Sequence, residues 1–230
     1  MKIILLLSTF FLQNLIFVST SMHDTAKAQQ LDIIDLDRID ADDPLIKAEN
    51  DKDKKSSVKI NFTGFNSGTQ GFKFTVSPLL ITYDQFSPTN PIIRENIISF
   101  HNTSSVPFFI YAQEDGALRD KEGNFIPDTN CDNGACTENV SAVWLSTLTY
   151  GFGYRCIDIK GLSCSSEFGN NDYFKQLSNS GAKENLSNFA KGISNNVNYE
   201  MKINYKVNTS ASQLDSIYSN TITLTALPGY

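Results

Sequence analysis

The feature that most constrains this chain is the alternation of apolar and polar residues between Val197 and Asn208. Six apolar residues occupy every second position of this segment, and Asn, Glu and Lys fill the positions between them. Successive side chains of a β-strand point to opposite faces, whereas a helix would scatter these residues around its circumference. The pattern predicts a half-buried strand, and the sheet that contains it needs a second layer against which to bury its apolar face.

Other segments of the chain show the same period. Residues 72–77 and 221–226 alternate apolar residues with Lys, Thr and Ser, and residues 106–112 are apolar on both faces, as in a central strand packed on two sides. We count about eight strand candidates, separated by Pro, Gly and polar runs. Only residues 171–186 invite a helix, and they lack a sustained apolar stripe. The sequence therefore predicts an all-β fold over residues 58–230, namely an antiparallel two-sheet, Ig-like β-sandwich with long polar loop insertions and little helix.

Residues 1–28 have the three-part layout of a secretory signal peptide. Lys2 supplies the positive start, residues 3–18 form an apolar stretch, and a small-x-small site ends at Ala28. A retained membrane anchor is the alternative, but the stretch is short for a bilayer core of about 30 Å and carries polar residues in its middle. We predict that the chain is secreted or displayed at the cell surface through this signal, with no transmembrane span after cleavage.

The next segment, residues 29–57, differs in composition from the rest of the chain. It carries nine acidic residues and no aromatic one, which predicts a flexible arm or linker. Alternatively, residues 31–36 add a strand to the sheet of a neighbouring copy, and the chain then forms a homo-oligomer. The whole chain has a formal net charge of −6, which argues against a nucleic-acid partner because phosphate binding draws its affinity from Lys and Arg.

All four cysteines lie in the part of the chain that would be exported. An even count in an oxidising compartment indicates two disulfides. Four cysteines allow three pairings, and the spacing favours Cys131–Cys136 and Cys156–Cys164. A zinc site is the alternative, but neither pair shows the repeated short spacing of a zinc knuckle and no histidine lies nearby.

Catalytic residues are scarce in the predicted mature chain. Its only histidine is His101, whose place at a predicted strand end is typical of an ordinary half-exposed side chain rather than of a Ser-His-Asp or Cys-His mechanism. Glycoside hydrolysis would require the carboxyls of Glu114 and Asp115 to flank one sugar, yet adjacent residues of a strand point to opposite faces. We predict no catalytic residues and a protein that is not an enzyme.

A calcium site is the small-ligand hypothesis that the sequence supports best, and no other cofactor is predicted. Oxygen-bearing side chains crowd the Cys131–Cys136 loop, and hard oxygen ligands on a pinned loop suit Ca²⁺. Their spacing is not that of an EF-hand, and a solvated polar loop is the alternative. The four candidate ligands are Asp128, Asp132, Asn133 and Glu138.

Aromatic side chains offer a second candidate ligand surface. Tyr150, Phe152, Tyr154 and Tyr173 are candidates for stacking against a sugar ring. The first three share one strand face by parity, with Gly151 and Gly153 between them, so the alternative is that they pack the core. We favour the core for these rings, and for Trp144 as well.

Several short motifs resemble those of a known group of proteins. They are Val76-Ser77-Pro78, the proline-bounded run at 86–91, the loop Cys131-Asp132-Asn133-Gly134-Ala135-Cys136, the aromatic-glycine run at 150–154 and the closing strand from Tyr218 to Pro228. Over residues 74–228 the chain resembles the uncharacterised secreted β-sandwich surface proteins of small-genome candidate-phyla bacteria. It is also loosely similar to WxL-type cell-wall modules and pilin-like extracellular sandwiches, although Trp144-Leu145 lacks the paired Trp-x-Leu spacing. The resemblance implies fold and location, and it implies no activity.

These observations lead to one functional prediction and two alternatives. The chain is predicted to be a non-enzymatic secreted or cell-surface structural or adhesive module, whose partner is a surface protein or a glycan. One alternative is a subunit of an extracellular polymer assembled by strand addition. The other is a carbohydrate-binding module that uses the aromatic side chains named above.

Overall fold

The computed structural model describes residues 55–64, 72–84, 86–88, 90–103, 107–161, 164–169, 171–179, 187–192 and 197–228. The predicted signal peptide lies outside the described residues. So do residues 29–54 of the predicted arm and, with them, the possible donor segment at 31–36. The described residues contain fourteen strands and two short 3-10 turns, so this part of the chain is all-β, as the sequence predicts.

The larger of the two main sheets has eight strands. They are β1 (Ser56–Gly64), β3 (Leu80–Tyr83), β5 (Phe108–Glu114), β6 (Leu118–Arg119), β7 (Phe125–Ile126), β11 (Ser178–Asn179), β12 (Ser187–Gly192) and β14 (Ser219–Pro228). Across the sheet the order is β11, β5, β14, β1 and β3, while β12 also pairs with β5 and β6 pairs with both β14 and β7.

The smaller main sheet has four strands, all antiparallel. They are β2 (Phe72–Ser77), β4 (Ile92–Asn102), β9 (Gly151–Lys160) and β13 (Val197–Asn208), in the order β2, β4, β13 and β9. The bounds of β13 coincide with the alternating segment of the sequence. Two further short strands, β8 (Ala142–Val143) and β10 (Tyr173–Phe174), pair with each other.

The apolar faces of the two main sheets share one core. Ile222 of β14 and Met201 of β13 are both fully buried and belong to the same cluster of apolar side chains. The ring centres of Phe100 in β4 and Phe108 in β5 lie 3.7 Å apart, which joins one sheet to the other. This layering is consistent with the predicted β-sandwich, because each sheet buries its alternate residues against the other.

Two pairings depart from the antiparallel arrangement that the sequence predicts. β1 runs parallel to β14, with Ser57 opposite Ser219 and Gly64 opposite Ala226, and β11 runs parallel to β5. Neither pair is consecutive in the chain, so no hairpin turn forces an antiparallel direction. Residues 171–179, the described part of the one helix candidate, contain β10 and β11, which agrees with the absence of a sustained apolar stripe there.

The segment between β7 and β9, residues 127–150, packs on the face of β13 that points away from the core. We call it the insertion. Trp144 and Ala142 of the insertion form a second buried cluster with Phe174 and the Cys131–Cys136 pair. Lys206 and Asn208 of β13, which the alternation assigns to an exposed polar face, are 6% and 1% exposed. That assignment is wrong because the insertion covers this end of the strand.

Two disulfides form in the pairing that the spacing favours. Cys131 bonds to Cys136 and Cys156 bonds to Cys164, with Cα separations of 5.4 and 5.6 Å. Disulfides persist in oxidising environments such as the extracellular space, so the two bonds suggest such a compartment. Within the described ranges, no helix has the length and apolarity needed to cross a bilayer.

Candidate functional site

The insertion ends in a loop that exposes large apolar side chains. In this loop, residues 145–150, the side chains of Leu145, Leu148 and Tyr150 are 62%, 77% and 39% exposed. Single exposed apolar residues are common on protein surfaces, but several on one short loop are typical of a contact surface. We call residues 145–150, which form this candidate contact surface, the binding loop.

Asp132 holds the binding loop from one side. Its carboxylate accepts hydrogen bonds from the backbone N–H of Leu145 (2.8 Å) and Ser146 (3.1 Å) and from the Thr149 hydroxyl (2.8 Å). Burial alone would raise the pKa of Asp132, but these hydrogen bonds and the charge of Lys206 outweigh it and hold the pKa below its ordinary value. The ionised carboxylate therefore fixes the conformation of the loop.

Side chains of Trp144 and Asn208 donate hydrogen bonds to carbonyl groups of the binding loop. The indole Nε1–H of Trp144 donates to the Thr149 carbonyl at 2.9 Å. The side-chain amide of Asn208 donates to the carbonyls of Thr147 (3.0 Å) and Thr149 (2.7 Å). Because side chains of the sheet and the insertion anchor both N–H and C=O groups of the loop, its backbone is ordered before any partner arrives.

Lys206 anchors Trp144, the residue that precedes the loop. Its Nζ donates a 2.6 Å hydrogen bond to the Trp144 carbonyl and lies 4.4 Å from the centre of the Trp144 ring and 5.3 Å from that of Phe174. Burial lowers the pKa of Lys206, and the nearby carboxylates of Asp132 and Asp172 offset part of this effect. The ammonium group is thus enclosed between two aromatic rings, an arrangement that compensates a buried cation for lost water.

Close backbone approaches attach the insertion to β9. A Cβ on Gly153 would lie 2.8 Å from the Lys175 carbonyl oxygen, and a Cβ on Gly151 would lie 2.6 Å from the Thr129 Cα. The N–H of Thr129 donates to the Phe152 carbonyl at 2.8 Å. The aromatic-glycine run at 150–154 therefore needs its glycines for contact with the insertion and with the backbone of Lys175, because any side chain there would occupy the space of the neighbouring backbone.

The structure separates the four predicted calcium ligands. The Asp132 carboxylate is engaged by the binding loop, Asn133 is exposed, Glu138 is half-buried, and Asp128 lies next to Glu114. No three His, Cys, Asp or Glu side chains in the described part of the chain are grouped as metal ligands would be. The calcium prediction on this particular set of four residues therefore gains no support from their placement.

The predicted stacking residues fall into two groups. Phe152 and Tyr154 are 0% and 1% exposed in the main core, so their rings present no face to a sugar. This corrects their assignment as ligand-stacking residues and agrees with the core interpretation. Tyr150 is exposed on the binding loop and Tyr173 is half-buried in β10. Trp144 is fully buried, as the sequence analysis favours.

A pair of carboxyl groups that sequence reasoning did not associate lies at the end of β5. Glu114 is 1% exposed and Asp115 is exposed, so these neighbours point to opposite faces, as predicted. Glu114 instead lies within hydrogen-bonding reach of Asp128, fourteen positions along the chain. Burial, with the adjacent charges of Asp128 and Asp115, raises the pKa of Glu114 to about 11. Burial also raises the pKa of Asp128.

His101 and one surface groove are further candidate sites. His101 is half-buried near the end of β4. A groove of about 890 Å³ opens beside the start of β1. Its lining carries equal numbers of basic and acidic side chains, so its charge favours neither an anionic nor a cationic ligand. The basic residues are Lys55, Arg119 and Lys121, and the acidic residues are Asp84, Asp120 and Asp215. Sequence reasoning missed the binding loop itself, although Leu145 and Leu148 stand out as apolar residues among Ser and Thr.

Comparison with known proteins identifies no family for this chain. No protein-family model matches this chain, and no curated protein matches it in sequence.

Proposed function

We propose that this chain is a non-enzymatic extracellular binding module, of the cell-surface structural or adhesive kind, whose contact surface is the binding loop. The observation that carries the proposal is the exposure of Leu145, Leu148 and Tyr150 on a backbone that Asp132 and Asn208 hold in place. A loop that is ordered before binding loses little conformational entropy on association. Tyrosine is among the residue types that contribute most to binding energy in protein interfaces, and burial of the leucine side chains adds a hydrophobic contribution.

We also propose that the chain is exported from the cell and that its fold is an Ig-like sandwich. A secretory signal at residues 1–28 agrees with the two disulfides, which need an oxidising compartment. An Ig-like sandwich agrees with two mainly antiparallel sheets that share one core. The resemblance to secreted β-sandwich surface proteins supports the same location. The partner is a surface protein or glycan that offers an apolar contact.

The test measures binding of the secreted chain to isolated envelopes of the cells that produce it. The variant Leu145→Ser/Leu148→Ser is expected to bind at least tenfold more weakly with an unchanged melting temperature, because both side chains already face solvent. The matched control is Leu79→Ser/Leu80→Ser, which removes two leucines that are 53% and 56% exposed at β3. If both double variants bind like the parent chain, the binding loop is not the contact surface.

A second candidate function is a polymer subunit assembled by strand addition, and one observation favours it. β1 lies between β14 and β3 and pairs in parallel with β14, so the strand that begins in the last two residues of the predicted arm occupies an interior position of the larger sheet. A strand in that position that came from a neighbouring copy would link subunits. Deletion of residues 29–50 is then expected to abolish oligomers. An unchanged mass by light scattering would exclude this function.

A further inference from the structure

The insertion covers one end of the outer face of the smaller sheet, which is the face that points away from the core. Lys206 and Asn208 of β13 are buried there. At the other end of the same face, Lys73, Ser99 and Asn198 are exposed. Positions 198 and 206 lie roughly 27 Å apart along a strand, so the exposed end is a surface separate from the binding loop.

The strand register brings basic and polar side chains together at the exposed end. Lys73 of β2 lies opposite His101 of β4. In the adjacent row, Glu200 of β13 lies between Ser99 of β4 and Lys160 of β9. Side chains in opposite positions are about 5 Å apart at Cβ. These residues line a pocket of about 300 Å³, which we call the sheet pocket.

The two lysines of the sheet pocket have charges that are available to a ligand. Among the described residues, neither Lys73 nor Lys160 forms an ion pair, although Glu200 lies opposite Lys160. Elsewhere on the same sheet, Lys202 does pair with Glu95. With its histidine neutral, the pocket has two basic side chains and one acidic side chain, whereas the whole chain has a net charge of −6. This local positive charge favours an anionic ligand.

The other side chains of the sheet pocket suit a ligand that carries hydroxyl groups. The Ser99 hydroxyl and the Asn198 amide donate and accept hydrogen bonds, and the Glu200 carboxylate accepts them. Phe100 and Tyr199 also line the pocket, but they are 1% and 7% exposed because their rings belong to the core. The pocket therefore offers charge and hydrogen bonds in place of the aromatic or apolar anchor that is typical of a protein interface. This lining favours a sugar over a protein.

The dimensions of the sheet pocket also fit a saccharide. Its volume is at the lower end of the range for small-ligand sites, which is about 300–1,000 Å³. Lys73 and Lys160 lie on β2 and β9, the two outer strands of the smaller sheet, and these strands are roughly 14 Å apart. A trisaccharide spans this distance, so each lysine can meet a carboxylate of the same short chain.

We propose that the sheet pocket binds a short segment of an acidic polysaccharide whose sugar units carry carboxylates. Lys73 and Lys160 bind the carboxylates by charge-assisted hydrogen bonds. Ser99, Asn198 and Glu200 form hydrogen bonds with the sugar hydroxyls between them. The site uses no aromatic stacking, in contrast to the alternative carbohydrate site that the sequence predicts, and it does not depend on the function proposed for the binding loop.

The experiment is isothermal titration of the secreted chain with trigalacturonate and, separately, with its methyl ester, which keeps the sugar rings and removes their charge. The acidic trisaccharide is expected to bind at least about fivefold more tightly than the ester, because each lysine loses its ionic partner in the ester. Its affinity is also expected to fall when the NaCl concentration is raised from about 50 to about 500 mM, because salt screens exposed charges.

The variant Lys73→Gln/Lys160→Gln is expected to bind the acidic trisaccharide no more tightly than the parent chain binds the ester. Its melting temperature should stay unchanged, because both side chains are exposed. The matched control is Lys59→Gln, which removes an exposed lysine from β1 of the larger sheet and is expected to keep the affinity. The variant Leu145→Ser/Leu148→Ser is expected to keep it as well, since the binding loop lies elsewhere.

Three results would overturn the proposal. The first is a parent chain that does not bind the acidic trisaccharide or binds it no better than the ester. The second is an equal loss for Lys59→Gln and for the double lysine variant, which would mean that the ligand responds only to the overall charge of the chain. The third is a loss in Leu145→Ser/Leu148→Ser with full binding in the lysine variant, which would place the saccharide on the binding loop.

Discussion

The Nζ atom of Lys206 lies 4.4 Å from the centre of the Trp144 ring and donates a 2.6 Å hydrogen bond to the carbonyl oxygen of the same residue. One buried cation thus fixes both the side chain and the backbone of the residue that precedes the binding loop. The sheet supplies the lysine and the insertion supplies the tryptophan. Their contact therefore transmits the rigidity of the sandwich to the loop.

Replacement of Lys206 by methionine is expected to lower the free energy of unfolding by about 1–3 kcal/mol. Methionine keeps most of the apolar stem, but it leaves the buried Trp144 carbonyl without a donor and removes the cation from the two rings. Urea denaturation monitored by tryptophan fluorescence measures this loss of unfolding free energy. Trp144 is the chain's single tryptophan, so the signal reports on the site itself.

Lys202→Met is the matched control for this change. Lys202 lies on the same face of β13, four residues closer to the middle of the strand, where its side chain is 31% exposed and forms a 3.2 Å ion pair with Glu95. A partly solvated ion pair contributes about 0.5 kcal/mol or less. Equal losses for the two variants would contradict a special role for the Lys206 contact.

The strands could be predicted because the apolar–polar alternation that specifies each strand lies within a few consecutive residues. The alternation over Val197–Asn208 specifies a strand with one buried face, and β13 has these bounds with Met201, Ile203 and Tyr205 in the core. The burial of the opposite face of β13 at Lys206 and Asn208 could not be predicted from this pattern. It comes from the insertion, about sixty positions away, so Lys206 has the same sequence appearance as Lys202 and a different environment.

The candidate site was less predictable for a related reason. Asp132 and Asp128 both have the composition of calcium ligands, but the sequence does not show which donors face them. Asp132 receives backbone N–H groups from a loop more than ten residues away, and Asp128 meets Glu114 at the end of β5. The direction of β1 against β14 is another case, since this pairing joins residues about 160 positions apart.

Substitution of Gly153 by alanine is expected to destabilise the fold by about 2 kcal/mol, which is typical of an overpacked site. The added Cβ would lie 2.6 Å from the Thr129 methyl group and 2.8 Å from the Lys175 carbonyl oxygen, and the second of these belongs to the backbone and cannot turn aside. Thermal denaturation measures the loss. Gly169→Ala, at an exposed position whose nearest atom would be 3.1 Å away, serves as the control with a smaller expected effect.

Removal of either disulfide by paired Cys→Ser substitution is expected to cost about 2–3 kcal/mol, as the chain-entropy model gives for short loops. The two variants should differ in their tryptophan fluorescence. Cys131 and Cys136 share a buried cluster with Trp144, whereas Cys156 belongs to the main core. Only the first variant is therefore expected to shift the native emission maximum. A shift in both, or in neither, would show that the Cys131–Cys136 bond does not support the packing of Trp144.

The acid sensitivity of the binding loop follows from Asp132. Its pKa in the folded chain is held below the ordinary value of 3.8, so at intermediate acidity the unfolded chain binds the proton more readily than the folded one. The stability that the carboxylate supplies is therefore fully present above about pH 4 and is lost as the pH falls through the folded pKa. Below that point the loop loses its ionised acceptor.

We expect Asp132→Asn to be less stable than the parent chain at pH 7 by about 1 kcal/mol, because solvent screens part of the carboxylate's contribution, and we expect the difference to shrink toward pH 2. Urea denaturation of both proteins at several pH values measures the difference, in which the other acidic residues cancel because they are common to the two. Asp215→Asn, at an exposed position, provides a control with no such difference. A gap that stays constant from pH 7 to pH 2 would mean that the charge of Asp132 does not hold the loop, and that the shape of its side chain does so instead.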